Sequence, residues 1–160
     1  MQLGIVSDSH DHLIRLEAAL TLFEKEGVDA VLHPGDLIAP FAAKLLVEQW
    51  GGPLSVVYGN NDGERAGLKT VLPGIVDGPI LVELGGRRIS LDHYPPDVVH
   101  RPVPDCDVVI FGHTHQVTIE ERRGSLWLNP GECCGWVTGK ATAALLDTET
   151  LKAEIVELNI

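Results

Sequence analysis

An α/β domain with two sheets is the fold this sequence predicts, on three observations. Up to Tyr58, short β-branched runs alternate with stretches that place apolar residues at helical spacing. That strand–helix–strand rhythm implies a parallel sheet with crossover helices. From Ile80 onward the apolar runs are short and bounded by Gly- and Pro-containing turns, so the second half reads mostly as strands. The length, 160 residues, lies on the scale of one domain at roughly 100–200 residues each. No repeat, low-complexity segment or linker interrupts it, and one domain covering 1–160 is expected.

The elements follow in order. Leu3 to Val6 is a short apolar run and predicts a buried strand. His12 to Glu26 predicts a helix, with Leu13, Leu16, Leu20 and Phe23 on one face. Asp11 stands where an N-cap belongs and Gly27 where a helix stops. Val28 to Leu32 predicts a second strand, ending in His33-Pro34-Gly35-Asp36. A second helix is expected from Pro40, which a first turn tolerates, through Phe41, Leu45 and Leu46 towards Trp50. Leu54 to Tyr58 predicts a third strand, running into Gly59-Asn60-Asn61-Asp62-Gly63. Ile80 to Leu84 and Arg87 to Asp92 flank Gly85-Gly86 as a hairpin. Tyr94 to Asp105 holds four prolines and reads as loop. Asp107 to Phe111 is another strand, ending in Gly112-His113-Thr114-His115. Gln116 to Arg122 and Ser125 to Leu128 form a hairpin pattern, and Thr142 to Asp147 with Leu151 to Leu158 a final strand pair.

Composition excludes several classes. The net charge of −11 repels polyphosphate backbones, so general nucleic-acid binding is not expected. A local cationic site could still draw in a single phosphate. The three cysteines, Cys106, Cys133 and Cys134, are odd in number and lack a CxxC spacing. They suggest neither a disulfide framework nor a thiolate zinc site. Met1 leads directly into the first strand, and no apolar run approaches the roughly 20 residues of a membrane span. A cytoplasmic protein is expected, and exposed edge strands in the second half make a homo-oligomer plausible.

The chemistry collects at strand ends. Asp8 with His10, then Asp36, Asn60, His93, and His113 with His115, each follow an apolar run. Open α/β sheets bind ligands beyond the carboxyl ends of their strands. In the run from Arg87 to His93, Ile89, Leu91 and His93 share one face, so His93 continues the buried side. Asp8 and His10 beside a hydrophobic core call for a positive partner, because an unpaired buried charge is costly. Seven donors of imidazole, carboxylate and amide type, with one carboxylate shared, suffice for two divalent ions. Without thiolate, such a set suits Mn, Ni, Fe or Zn. Two ions of this kind clamp a phosphoryl group and acidify a water between them.

Taken together, these motifs resemble the calcineurin-like metallophosphoesterase superfamily, whose signature is DxH…GD…GN[HCN][DE]…H…GHxH. The matching residues are Asp8-Ser9-His10, Gly35-Asp36, Gly59-Asn60-Asn61-Asp62, His93 and Gly112-His113-Thr114-His115. The stretches Gly59 to Arg65 and Asn129 to Gly135 are similar to those of small single-domain archaeal and bacterial phosphodiesterases. The resemblance implies a four-layer α-β-β-α sandwich of two mixed sheets flanked by helices. It implies one ion on Asp8, His10, Asp36 and His115, and another on Asp36, Asn60, His93 and His113, with Asp36 bridging. It further implies a metal-bridging hydroxide that attacks phosphorus in line, and a small phosphodiester as substrate.

Two departures stand out. Many members carry His after the GN asparagine; this chain has Asn61, which donates a hydrogen bond but cannot serve as a general acid. Tyr94-Pro95-Pro96 follows His93 where relatives have HG or HGH. Around the site, Asn61, Arg65 and His12 are candidates for substrate binding, Arg65 alternatively pairing with Asp62 or Glu64, and His12 alternatively a solvated first-turn residue. His33 suits packing or support of the site, Asp62 support or a cap, and His100 an exposed loop. Cys133 and Cys134 suit packing, and Trp127 and Trp136 either core or pocket wall. The competing functions are a non-catalytic protein-binding scaffold of the same fold, which should have lost its histidine ligands, and a dinuclear hydrolase acting on esters or amides.

Overall fold

The structure is a computed structural model that describes residues 1–97 and 105–159. His100, and the loop expectation for the segment around it, lie outside the described residues. Ten strands form two mixed five-stranded sheets, with three helices among the described residues. The first sheet has the order β10-β9-β1-β2-β3. It joins β1 (Gln2–Ile5), β2 (Ala30–His33), β3 (Leu54–Val56), β9 (Thr142–Asp147) and β10 (Lys152–Glu157). The second is ordered β4-β5-β6-β8-β7. It joins β4 (Ile80–Leu84), β5 (Arg87–Leu91), β6 (Val108–Ile110), β7 (Val117–Arg122) and β8 (Ser125–Pro130).

Parallel pairing of β1, β2 and β3 follows from the crossover helices α1 (Leu13–Lys25) and α2 (Pro40–Gln49). The final strand pair joins this sheet, β9 lying antiparallel to β1 with Ile5 opposite Ala144. In the second sheet β5, β6 and β8 run parallel and two hairpins close the edges. Apolar alternation builds two cores. Leu3, Ile5 and Leu32 meet Ile89, Leu91, Ile110 and Leu128 between the sheets. Val6, Val31 and Val56 face outward onto Leu16, Phe23, Leu46 and Leu68 of the helices. Burial of that order, roughly 25 cal/mol per Å² of apolar surface, holds the layers together.

The expected two-sheet α/β sandwich with helices is what the chain forms. Several local expectations differ. A third helix, α3 (Arg65–Val71), follows the Gly59–Gly63 turn; only Leu68 of it is buried, so no apolar stripe announced it. Leu13, expected on the shared apolar face of α1, is exposed; the inward face of α2, for which no expectation was set, is made by Ala42, Ala43 and Leu46. Asp11 does not cap its own helix: the N-cap is His12, and the Asp11 carboxylate accepts the N–H of Ala39 at 3.0 Å. Asp11 has φ 58°, which turns its side chain towards the N-terminus of α2 instead. The stop at Gly27 stands as expected: Val28 N–H reaches Phe23 C=O at 2.9 Å and Gly27 N–H reaches Glu24 C=O at 3.2 Å, the paired bonds of a Schellman ending.

Candidate metal centre

Parallel strands from both sheets end on one side of the molecule, and the seven predicted ligand residues meet there. The loop after β1 brings Asp8 and His10, the loop after β2 Asp36, and the turn after β3 Asn60. The second sheet adds His93 beyond β5, and His113 and His115 beyond β6. His10 Nε2 lies 3.5 Å from Asp36 Oδ2 and 3.9 Å from Asp8 Oδ1. His115 Nε2 lies 3.6 Å from Asp8 Oδ1, and His93 Nε2 3.6 Å from Asp36 Oδ2. Asn60 Oδ1 is 2.8 Å from His93 Nε2 and 2.9 Å from His113 Nδ1. Asp8, Asp36 and His93 are buried, and His10 and His115 are partly exposed.

The backbone bends sharply to achieve this. Five of the seven residues have positive φ: Asp8 51°, His10 42°, Asp36 61°, His113 66° and His115 58°. L-residues occupy this region uncommonly, and such strain persists where the surrounding structure enforces it. Asp62 supplies part of that enforcement. It is buried, and its carboxylate accepts the N–H groups of Asp36 (3.1 Å), Ile38 (2.7 Å) and Gly59 (2.7 Å), which clamps two ligand loops together. The glycines of the motifs leave room for ligands. A Cβ on Gly59 would stand 2.1 Å from Asp36 Oδ1, and one on Gly112 2.1 Å from Ser7 Oγ and 2.6 Å from Asp8 Oδ2.

Supporting contacts set the imidazole tautomers. His93 Nδ1 faces the Pro34 carbonyl at 2.8 Å, so its N–H donates there and Nε2 turns a lone pair inward. His115 Nδ1 donates to Glu132 Oε2 at 2.8 Å, leaving Nε2 towards Asp8. Glu132 also accepts from the N–H of Val137 (3.0 Å), the hydroxyl of Thr138 (2.7 Å) and the thiol of Cys134 (3.1 Å). Burial opposes its charge, but the bonds from Thr138, His115 and Cys134 outweigh it and hold the carboxyl down at about 2. Asp8 accepts from the Ser7 hydroxyl at 2.5 Å and from His113 N–H at 3.2 Å. Burial raises its carboxyl above the ordinary value, against the pull of Ser7, His93 and His115. Burial lowers His113 too, with His93 adding to the effect.

Asp8 Oδ1 and His10 Nε2 are buried with no hydrogen-bond partner. Inward lone pairs of His93 and Asn60 face each other at 2.8 Å. Groups so arranged fit a cation: two ligands about 2.1 Å from one ion, at tetrahedral or octahedral angles, stand about 3–3.5 Å apart. Asp8, His10 and His115 form one cluster, and Asp8, Asp36 and His93 another. Cys134, beside His115 and Glu132, is kept a thiol, burial pushing it up to about 12. Burial raises Cys133 as well, and both cysteines are free.

The remaining candidates take varied places. Asn61 donates from its backbone to Asp36 Oδ1 and from its side chain to Asp36 Oδ2, both at 2.8 Å. Arg65 pairs with Asp77, not with Asp62 or Glu64, and lies 3.9 Å over the Tyr58 ring. A cleft of about 430 Å³ is lined there by Tyr58, Asn60, Arg65, Asp77 and Tyr94. His12 tilts against Trp136 with ring centres 5.9 Å apart. His33 is buried, takes the Gly35 N–H on Nδ1 at 3.2 Å, and is lowered to about 3 by burial. Trp127 packs in the core on Phe111. Asn129 braces the histidine loop by donating to the Gly112 carbonyl at 2.9 Å. Sequence reasoning passed over Glu132, whose one visible signal was the Asn129-to-Gly135 stretch it sits in.

Comparison with known proteins bears on this geometry. The family model described as the calcineurin-like phosphoesterase superfamily domain matches residues 1–151. Phosphodiesterase MJ0936 of Methanocaldococcus jannaschii is 40% identical over 157 residues, covering 93% of this chain and 94% of that one. A structurally and functionally characterised archaeal phosphodiesterase superposes with a TM-score of 0.88 at 37% identity, covering 99% of this chain and 100% of that chain. Vps29 of Entamoeba histolytica, solved with Zn2+, shares the fold at a TM-score of 0.64 and 20% identity, covering 99% of this chain and 100% of that chain.

Proposed function

Because the chain belongs to the calcineurin-like phosphoesterase superfamily, we propose that it is a dinuclear metal-dependent phosphodiesterase. The observation that carries this reading is the convergence of inward-facing donors from five strand ends, two of them buried without a partner. Asp8, His10, Asp36 and His115 would hold one ion, and Asp36, Asn60, His93 and His113 the other, with Asp36 shared. Manganese suits this donor set, as do nickel, iron and zinc. Two such ions, when bound, would supply Lewis-acid charge for the phosphoryl oxygens and acidify a water to serve as nucleophile.

The chain's own residues set the rest. Asn61, bonded to both Asp36 oxygens, orients the shared carboxylate and offers its amide to a phosphoryl oxygen. Arg65 lines the adjoining cleft and, released from Asp77, reaches an anionic group there. His12 flanks the opposite rim. The experiment is hydrolysis of bis(p-nitrophenyl) phosphate by metal-stripped protein, and again after Mn, Ni, Zn or Mg is restored. Activity should return with added ion, and Asp36→Ala and Asn60→Ala should abolish it with circular dichroism unchanged. Turnover retained by either variant overturns the assignment, and inactivity with every ion favours a scaffold.

A further inference from the structure

Trp136 and Val137 are 65% and 68% exposed, yet they stand at the rim of the metal centre. The Trp136 ring lies 6.3 Å from the ring of His10 and 5.9 Å from that of His12, centre to centre. His10 in turn stacks on His115 at 5.2 Å. Aromatic surface of this size left in water forgoes the stabilisation that burial would bring. The segment that carries it is fixed. Cys133 N–H donates to Ser7 C=O at 2.8 Å and Cys134 N–H to Asp8 C=O at 3.2 Å, tying it to the first ligand loop. The Glu132 carboxylate takes the N–H of Val137, so the residue that orients His115 also holds the turn presenting the indole.

We infer that Trp136, backed by His12, is a stacking wall that selects phosphoesters bearing a planar aromatic group, nucleobase or aryl. The inference rests on the phosphoesterase reading of the centre. A phosphoryl group held at the ligand cluster would place its substituent at the rim, where the exposed indole of Trp136 lies against the His10 ring. Stacking is indifferent to which ring is presented. Trp136 contacts the substituent and takes no part in the chemical step.

The test separates this inference from the reading beneath it. Binding of phenylphosphonate and methylphosphonate, neither of them hydrolysable, is measured by calorimetry on the manganese-loaded protein. Wild type should prefer the phenyl compound. Trp136→Ala should lose about tenfold of that preference, Trp136→Phe should keep most of it, and methylphosphonate affinity should not change. An unchanged preference in Trp136→Ala overturns the wall. So does an equal loss for both ligands. A change in oligomeric state with preference intact also overturns it, assigning the patch to self-association. If phenylphosphonate binds through Trp136 but methylphosphonate and inorganic phosphate do not bind at all, the wall stands and the phosphoesterase reading fails.

Discussion

Asn61 and Glu132 show how much one side chain decides. Asn61 donates to Asp36 from both of its nitrogens, but an amide N–H is too weak an acid to protonate a departing alkoxide. Esters with good leaving groups should therefore react faster than unactivated ones. The kcat/KM for an aryl diester should exceed that for a simple alkyl monoester, and the reverse order would sink the idea. Glu132 acts through His115. Glu132→Gln weakens the bond that fixes the His115 ring, and metal affinity should fall about 10–100-fold. Chelator competition reads this directly, and an unchanged affinity would reduce Glu132 to holding the turn. The convergence of the seven candidate ligands was legible in the sequence because Asp, Asn and His directly after apolar runs are expensive without a role. Glu132 was not, because its partners include the backbone N–H groups of Val137 and Thr138, whose approach no side-chain pattern records.

At the level of elements, the loops between strand and helix carry more of the site than the strands themselves. Asp62 accepts three N–H groups from two of these loops. Asp62→Ala leaves those donors without their acceptor, and should cost about 3 kcal/mol in urea unfolding. It should also cost metal affinity, since Asp36 loses its anchor. An effect on stability alone would uncouple the clamp from the centre. Strands and hairpins were readable from alternation, and parity placed His93 on the buried side, where it lies. Asp11 was misread because local spacing says only where a residue stands on its own element, whereas Asp11 answers to the N-terminus of α2.

Across the whole molecule, acid should act partly through a residue outside the ligand set. His33 is fully buried and its pKa is lowered to about 3 from 6.5. The unfolded chain takes up that proton near pH 6.5 and the folded chain does not until about pH 3, so the contribution is complete above pH 6.5 and is lost as pH falls towards 3. His33→Asn keeps an acceptor for the Gly35 N–H. It should flatten the fall in unfolding free energy over this range by up to about 1.4 kcal/mol per pH unit. Urea titrations of metal-free protein at stepped pH check this; parallel slopes for variant and wild type would exclude His33 as the source. No helix among the described residues is long and apolar enough to cross a membrane.

Ile5 of β1 pairs with Ala144 of β9. On the ribosome, β1 emerges early and keeps that edge open until β9 follows, after the entire second sheet, Ile80 to Pro130, has been made. The second sheet is continuous in sequence and can pair as it appears, whereas closing β1 onto β9 carries a long-loop entropy cost and is slow. Nascent chains thus leave one edge of an apolar strand open for most of synthesis, a stage at which chaperones and aggregation compete. Asp8 and His10 ride on that strand's loop and meet His115 only after β6 has been made, so the candidate centre is completed late in synthesis.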